Sequence, residues 1–338
     1  MGVPEILGPF SIARLLGEGG SGLVYAATDA EGRAVALKVL RPELELDVRE
    51  VQRFVEEAGR MRRVSHPALV PVLDVGMLPD GRPFIAMPRL VGRSLADRLA
   101  EGPIPAARAV AMFGQVAAAV GALHDAGLVH RDVKPENVLW IDGEDRLVLL
   151  DLGIARDTDA IASTTTRAGL TRGTPAYMAP ERFFGRSATI RTDVYELALL
   201  LYVMLVAALP WDQEDPRGRL SPKLPAELGV SVPHPLVRVL LRALDVDFDK
   251  RPATVADLAA QVEDALVASA DELSIPTQPD GPKPALVLAP TGPAIDPGFA
   301  QAPTQISPPR GIPVQGPTLR SDLGGETPPP ISTRAATS

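Results

Sequence analysis

Short runs of alternating apolar and polar residues mark the first quarter of the chain. In Ala34–Leu40, Val35, Leu37 and Val39 fall on one face and Ala36, Lys38 and Leu40 on the other, the period-two pattern of a strand. A strand at Leu23–Ala27 precedes it across the hairpin turn Asp29-Ala30-Glu31-Gly32. Pro83–Leu90 reads as a further strand, leading into the connector Val91-Gly92-Arg93. Val48–Val64 is polar with apolar points at helical spacing, interrupted only by Gly59, and predicts an exposed helix. From residue 94 to 268 the period lengthens. Ala106–Ala126 is rich in Ala and Val, Val194–Ala208 is nearly all apolar and therefore central, and Pro235–Leu244 and Val255–Ala268 are amphipathic. The expected class is α+β, a β-rich lobe of roughly 80 residues before a helical lobe of roughly 170.

Composition adds bounds. After Ser269 the pattern stops: residues 271–338 hold 15 prolines and one aromatic, Phe299, too little apolar area to offset chain entropy. A disordered Pro-rich tail is expected over 269–338, a spacer or a ligand for a Pro-binding partner. The longest apolar run, Leu197–Leu209, has thirteen residues and is closed by Pro210. A bilayer span needs about 20, so the run reads as a core helix, and no membrane span is expected. Met1–Leu16 has no basic start and no long apolar run, so no signal peptide is read there. A net charge of −8 argues against nucleic acid as partner. The absence of cysteine removes thiolate and disulfide chemistry and fits a reducing, cytoplasmic setting. Only five lysines stand among 34 basic residues, so a retained lysine suggests that a compact point charge is required. Lys38 and Lys134 are two of them.

Three segments carry candidate chemistry. Gly17-Glu18-Gly19-Gly20-Ser21-Gly22-Leu23-Val24 fits G-x-G-x-x-G-x-V, in which glycines let backbone N–H groups approach phosphates. A hairpin and a second strand follow it, so it is not a dinucleotide fingerprint, and no Gly-Lys-Ser/Thr follows. Lys38, on the inner face of the next strand, is a candidate ammonium for α- and β-phosphates, with Glu56 or Glu57 as the carboxylate that holds it. In His130-Arg131-Asp132-Val133-Lys134-Pro135-Glu136-Asn137, Asp132 would accept a hydroxyl proton, Lys134 would stand near the γ-phosphate, and Asn137 would offer a neutral oxygen to Mg²⁺. Asp151, ending the strand Arg146–Leu150, would supply the charged oxygen.

Together these residues resemble a bacterial Hanks-type serine/threonine protein kinase over residues 10–268. The resemblance extends to Gly173-Thr174-Pro175-Ala176-Tyr177-Met178-Ala179-Pro180-Glu181, to Asp193 as the buried acid bracing the catalytic loop, and to Arg251 as the partner of Glu181. It implies a bilobal protein-kinase-like fold with an N-terminal extension at 1–9, an N-lobe at 10–90 and a C-lobe at 91–268. ATP would lie in the cleft, against Gly17, Gly19, Gly22, Val24, Ala36 and Lys38. Met87 would be the gatekeeper of a hinge at Pro88–Leu90, with the Pro88 carbonyl and the Leu90 N–H on the adenine. The resemblance chooses Glu57 over Glu56 as the partner of Lys38 and stacks Met61, Val72, His130 and Leu152 as a spine. Mg²⁺, with Mn²⁺ as substitute, would be held by Asn137 and Asp151. Lys134 and Thr174 favour Ser/Thr acceptors on protein substrates. Arg131 implies activation-loop control through a phosphate on Thr164, Thr165 or Thr166, with Thr166 the first choice. Leu152, Pro88, Arg89 and Ala198 depart from the usual residues without removing a catalytic group. A nucleotide-binding pseudokinase and a small-molecule kinase are the competing readings. The retained Lys38, Asp132 and Asp151 oppose the first, and the Gly-Thr-Pro…Ala-Pro-Glu segment opposes the second.

Overall fold

The computed structural model describes residues 6–19, 22–40, 48–141, 143–150, 175–212 and 221–269. Asp151, Leu152, Thr164, Thr165, Thr166, Thr174 and the Pro-rich tail after Ser269 lie outside these residues.

Six antiparallel strands form one sheet in the order β1-β2-β3-β4-β6-β5, built from β1 (Ile6–Leu7), β2 (Phe10–Gly19), β3 (Gly22–Thr28), β4 (Ala34–Leu40), β5 (Asp74–Met77) and β6 (Pro83–Pro88). β1 pairs Leu7 with Phe10, so part of the segment expected as an N-terminal extension belongs to the sheet. The alternation in β4 divides two cores. Val35, Leu37 and Val39 are fully buried in a small cluster with Phe10, Tyr25 and Phe84, while Leu40 joins the main core. Phe10 and Phe84 meet edge to face at 5.1 Å. α1 (Val48–Met61) runs through Gly59 without a break and is less exposed than its sequence suggests. Phe54, Ala58 and Met61, at i, i+4 and i+7, are buried in the main core.

A second sheet, β7 (Gly92–Ser94), β8 (Val138–Ile141) and β9 (Leu147–Leu149), lies in the C-terminal part with the helices. These are α2 (Leu95–Leu99), α3 (Ala106–Asp125), α4 (Pro180–Phe183), α5 (Ile190–Val206), α6 (His234–Ala243) and α7 (Val255–Ala268). Val194 to Val206 is buried along its whole length, because α5 is enclosed by α3, α6 and α7. α7 opens on a reciprocal cap, with the Asp257 amide donating to Thr254 Oγ1 and the Thr254 amide to Asp257 Oδ2, both at 3.0 Å. Among the described helices, α3 is long and apolar enough to cross a bilayer; its packing against α5 and α7 is that of a core helix. The N-terminal segment 68–70 is stitched to β9: Leu149 N donates to Ala68 O at 2.8 Å and Val70 N to Leu149 O at 2.9 Å.

Candidate active site

The glycines of the β2–β3 hairpin serve different purposes. Gly17 pairs with Val24 and Gly19 with Gly22 across the hairpin. A Cβ on Gly22 would stand 2.3 Å from the Val39 carbonyl oxygen, so this glycine admits the close approach of β4. A Cβ on Gly17 would meet nothing within 4 Å. Among the described residues, the space beside Gly17 is open. Val24 is cross-strand from Lys38, and Ala36 from Met87, so the expected nucleotide-side residues share neighbouring strands. Lys38 is 4% exposed. β6 ends at Pro88, and Arg89 N donates to Ala34 O at 3.3 Å, which sets Leu90 just past the sheet edge.

One pairing differs from expectation. Glu57 projects from α1 not to Lys38 but to Arg131, whose Nη1 and Nη2 both donate to its carboxylate at 3.2 Å. Among the described residues no ion pair joins Glu57 to Lys38. Both Glu57 and Arg131 are largely buried, and a guanidinium fork fits a carboxylate with two bonds where an ammonium offers a point charge. Glu56, the alternative, is exposed.

The octet folds into a tight cluster. Arg131 has φ 71°, left-handed for a residue that carries a Cβ. The turn is held from α5: Asp193, fully buried, accepts the amides of His130 and Arg131 at 2.8 Å each and meets His124 Nε2 at 2.7 Å. Beyond the turn, Pro135 starts a 3₁₀ turn, Pro135–Asn137, that brings Asn137 back over Asp132. Asn137 Nδ2 donates to the Asp132 carboxylate at 2.7 Å and to its carbonyl at 2.8 Å. Lys134 Nζ lies 3.1 Å from the same carboxylate oxygen. Since Asn137 spends its amide nitrogen on Asp132, its side-chain oxygen is the atom suited to a hard cation. Leu150 N donates to the Asn137 carbonyl at 2.8 Å, and Asp151 is the next residue in the chain. Met61, Val72 and His130 are all buried.

Below the cluster, Arg251 donates to both Glu181 oxygens at 3.0 and 2.8 Å, and Thr192 Oγ1 donates to the same carboxylate at 2.9 Å. This joins the Ala179-Pro180-Glu181 turn to α5 and to the loop before α7. The sequence reading missed Glu196. It is the single charge within Val194–Ala208, a helix buried on every side, and an acid there must meet a partner. Its Oε2 accepts the Val133 amide at 2.8 Å.

The protein kinase domain family matches residues 10–255. The chain is 38% identical over 280 residues to the serine/threonine-protein kinase pkn2 of Myxococcus xanthus, covering 79% of this chain and 33% of that protein. It is 38% identical over 279 residues to PknD of Mycobacterium tuberculosis, covering 79% and 41%. Its fold resembles the crystal structure of the Mycobacterium tuberculosis PknI kinase domain with a TM-score of 0.64 at 29% identity, over 78% of this chain and all of that one. The chain thus spans well under half the length of these two curated relatives. With the two-sheet architecture, the octet cluster and the Glu181–Arg251 tie already in place, these matches make the chain a member of the protein kinase family, in its bacterial Hanks-type serine/threonine branch.

Proposed function

We propose that this chain transfers the γ-phosphoryl group of ATP to Ser and Thr hydroxyls of proteins. The observation that carries the reading is the Asp132 carboxylate, partly buried and fixed by Asn137 Nδ2 at 2.7 Å and Lys134 Nζ at 3.1 Å. A carboxylate so held can orient an acceptor hydroxyl and take its proton as the new O–P bond forms and the β,γ-bridging bond breaks. Lys134 stands where negative charge develops on the moving group. Lys38, with Gly17, Gly19, Gly22, Val24 and Ala36, serves the nucleotide phosphates and ring. Met87, Pro88 and Leu90 line the adenine side, the Pro88 carbonyl and Leu90 N–H being the backbone contacts. Asn137 and Asp151 would hold a divalent metal, Mg²⁺ or in its place Mn²⁺, which would neutralise phosphate charge. The Asn137 side-chain oxygen supports that fit.

The Glu57–Arg131 pair suggests how activity is set. A phosphate on Thr164, Thr165 or Thr166 carries a charge of about −1.5 to −2 and would compete with Glu57 for Arg131, leaving Glu57 to Lys38. Asp193, Glu181 and Arg251 hold the scaffold. The kinase domain, 10–268, belongs in the cytoplasm, where ATP and protein substrates are. The tail, 269–338, acts as a spacer or docks a Pro-binding partner.

The test incubates the purified chain with ATP, Mg²⁺ and a mixed Ser/Thr peptide pool and maps phosphate by mass spectrometry. Phosphate should appear on Ser and Thr of peptides and of the chain itself, and should vanish with Lys38→Met and Asp132→Asn. Wild type that gives no more than these two variants defeats the proposal.

A further inference from the structure

Two carboxyl groups one helical turn apart on α5 grip one strip of the catalytic loop. Asp193 takes the amides of His130 and Arg131, and Glu196, three residues on, takes that of Val133. Residues at i and i+3 share a helix face, so the two acids present adjacent acceptors. The remaining amide, that of Asp132, lies 3.3 Å from His130 Nδ1. Every N–H from 130 to 133 has a named acceptor, and only Val133 depends on Glu196.

The turn between the two grips is the left-handed Arg131, a conformation that persists where its surroundings over-determine it. Asp193 fixes the near side of that turn. Asp132 sits on the far side, and its next neighbour along the chain is the residue Glu196 holds. Glu196 is 2% exposed. Burial, then the facing acids Asp193 on its own helix and Asp132 on the loop, push its proton affinity well above the ordinary carboxyl range, against the Val133 amide and Arg182 of α4. Keeping so costly a group to satisfy one amide is unexpected for a helix that serves only as core.

We propose that Glu196 is a positioning residue for phosphoryl transfer: by clamping the Val133 amide it fixes the far side of the Arg131 turn and with it the aim of Asp132. It touches neither nucleotide nor acceptor hydroxyl. The inference rests on the kinase reading of the same site.

The experiment compares wild type with Glu196→Met, Glu196→Gln and Leu199→Ala in steady-state peptide phosphorylation and thermal unfolding. Met keeps the length without an acceptor, Gln keeps an oxygen for Val133, and Leu199 is a fully buried core residue of the same helix. Glu196→Met should lower kcat about 10–100-fold, the scale of a misaimed catalytic group, with little change in KM for ATP. Glu196→Gln should recover most of the rate, and Leu199→Ala should lose stability without a matching loss of kcat. The proposal is overturned if Glu196→Met keeps the wild-type kcat, if Gln falls as far as Met, or if Leu199→Ala loses as much rate. Should Glu196→Met not fold, amide exchange in Glu196→Gln decides: kcat that does not follow protection of the Val133 amide overturns the proposal. An inactive wild type would sink the kinase reading instead.

Discussion

Arg251→Ala tests how the lower half of the site is held together. The Arg251 side chain is fully buried and donates to both Glu181 oxygens, to the carbonyl of Asp245 at 2.7 Å and to that of Arg191 at 3.1 Å. Its guanidinium also lies 4.7 Å from the centre of the Tyr195 ring. Truncation leaves Glu181 buried with Thr192 Oγ1 as its remaining named donor. Breaking one side of a buried ion pair costs about 3–5 kcal/mol, and the lost cation–π contact about 1 kcal/mol more. A loss of about 4–6 kcal/mol is a large part of the about 5–15 kcal/mol that holds a domain folded. At about 2–4 °C per kcal/mol for a domain of this size, Tm should fall by about 8–24 °C. Calorimetry and urea unfolding measure it. The double variant Glu181→Leu/Arg251→Met leaves no orphaned charge and should be more stable than Arg251→Ala alone. The reasoning fails if Arg251→Ala costs under about 1 kcal/mol, below the usual range for a broken buried pair, or if the double variant costs the sum of its singles or more.

The two hairpin glycines should separate in their effects. Gly22→Ala drives a methyl into the Val39 carbonyl and should lower stability by about 1–3 kcal/mol; Gly17→Ala should leave Tm nearly unchanged while raising KM for ATP. Equal Tm losses would refute the distinction. Glu196 should tilt the pH dependence of stability. Its folded-state proton affinity is raised, chiefly by burial, so the stability it contributes is fully present below the ordinary carboxyl range and is lost as pH rises through its folded value. Glu196→Gln cannot titrate, so its Tm relative to wild type should climb as pH rises above the ordinary carboxyl range; a difference that stays constant as pH rises through and above that range would refute the assignment.

Much of the frame was legible because it follows from local chemistry. The period-two run Ala34–Leu40 became β4 with the expected residues on each face, and Val255–Ala268 became α7 with its Thr254 cap. The octet named Asp132, Lys134 and Asn137, and the fold closes them on one carboxylate oxygen through the Pro135 turn. The exposed-helix reading of Val48–Val64 erred because its apolar points are few, yet Phe54, Ala58 and Met61 align on one face and meet the main core. Glu196 left a faint trace, a lone acid in an apolar run, whose meaning depended on what lay opposite.

The sequence by itself determined the strand Ala34–Leu40 and the main helices, where glycine opens a turn, and which groups able to accept, donate or ligate lie on the loop after α3. These are properties of near neighbours along the chain, set by backbone geometry and side-chain period. It read Val91-Gly92-Arg93 as a connector, where pairing with β8 makes Gly92–Ser94 a strand. Only the tertiary structure decided that Glu57 pairs with Arg131, 74 positions away, and that Glu196 reaches Val133 across 63. Such choices weigh desolvation against bond geometry between groups that are neighbours only once the core has closed, and a buried carboxylate takes the partner whose fork fits it in the space that remains.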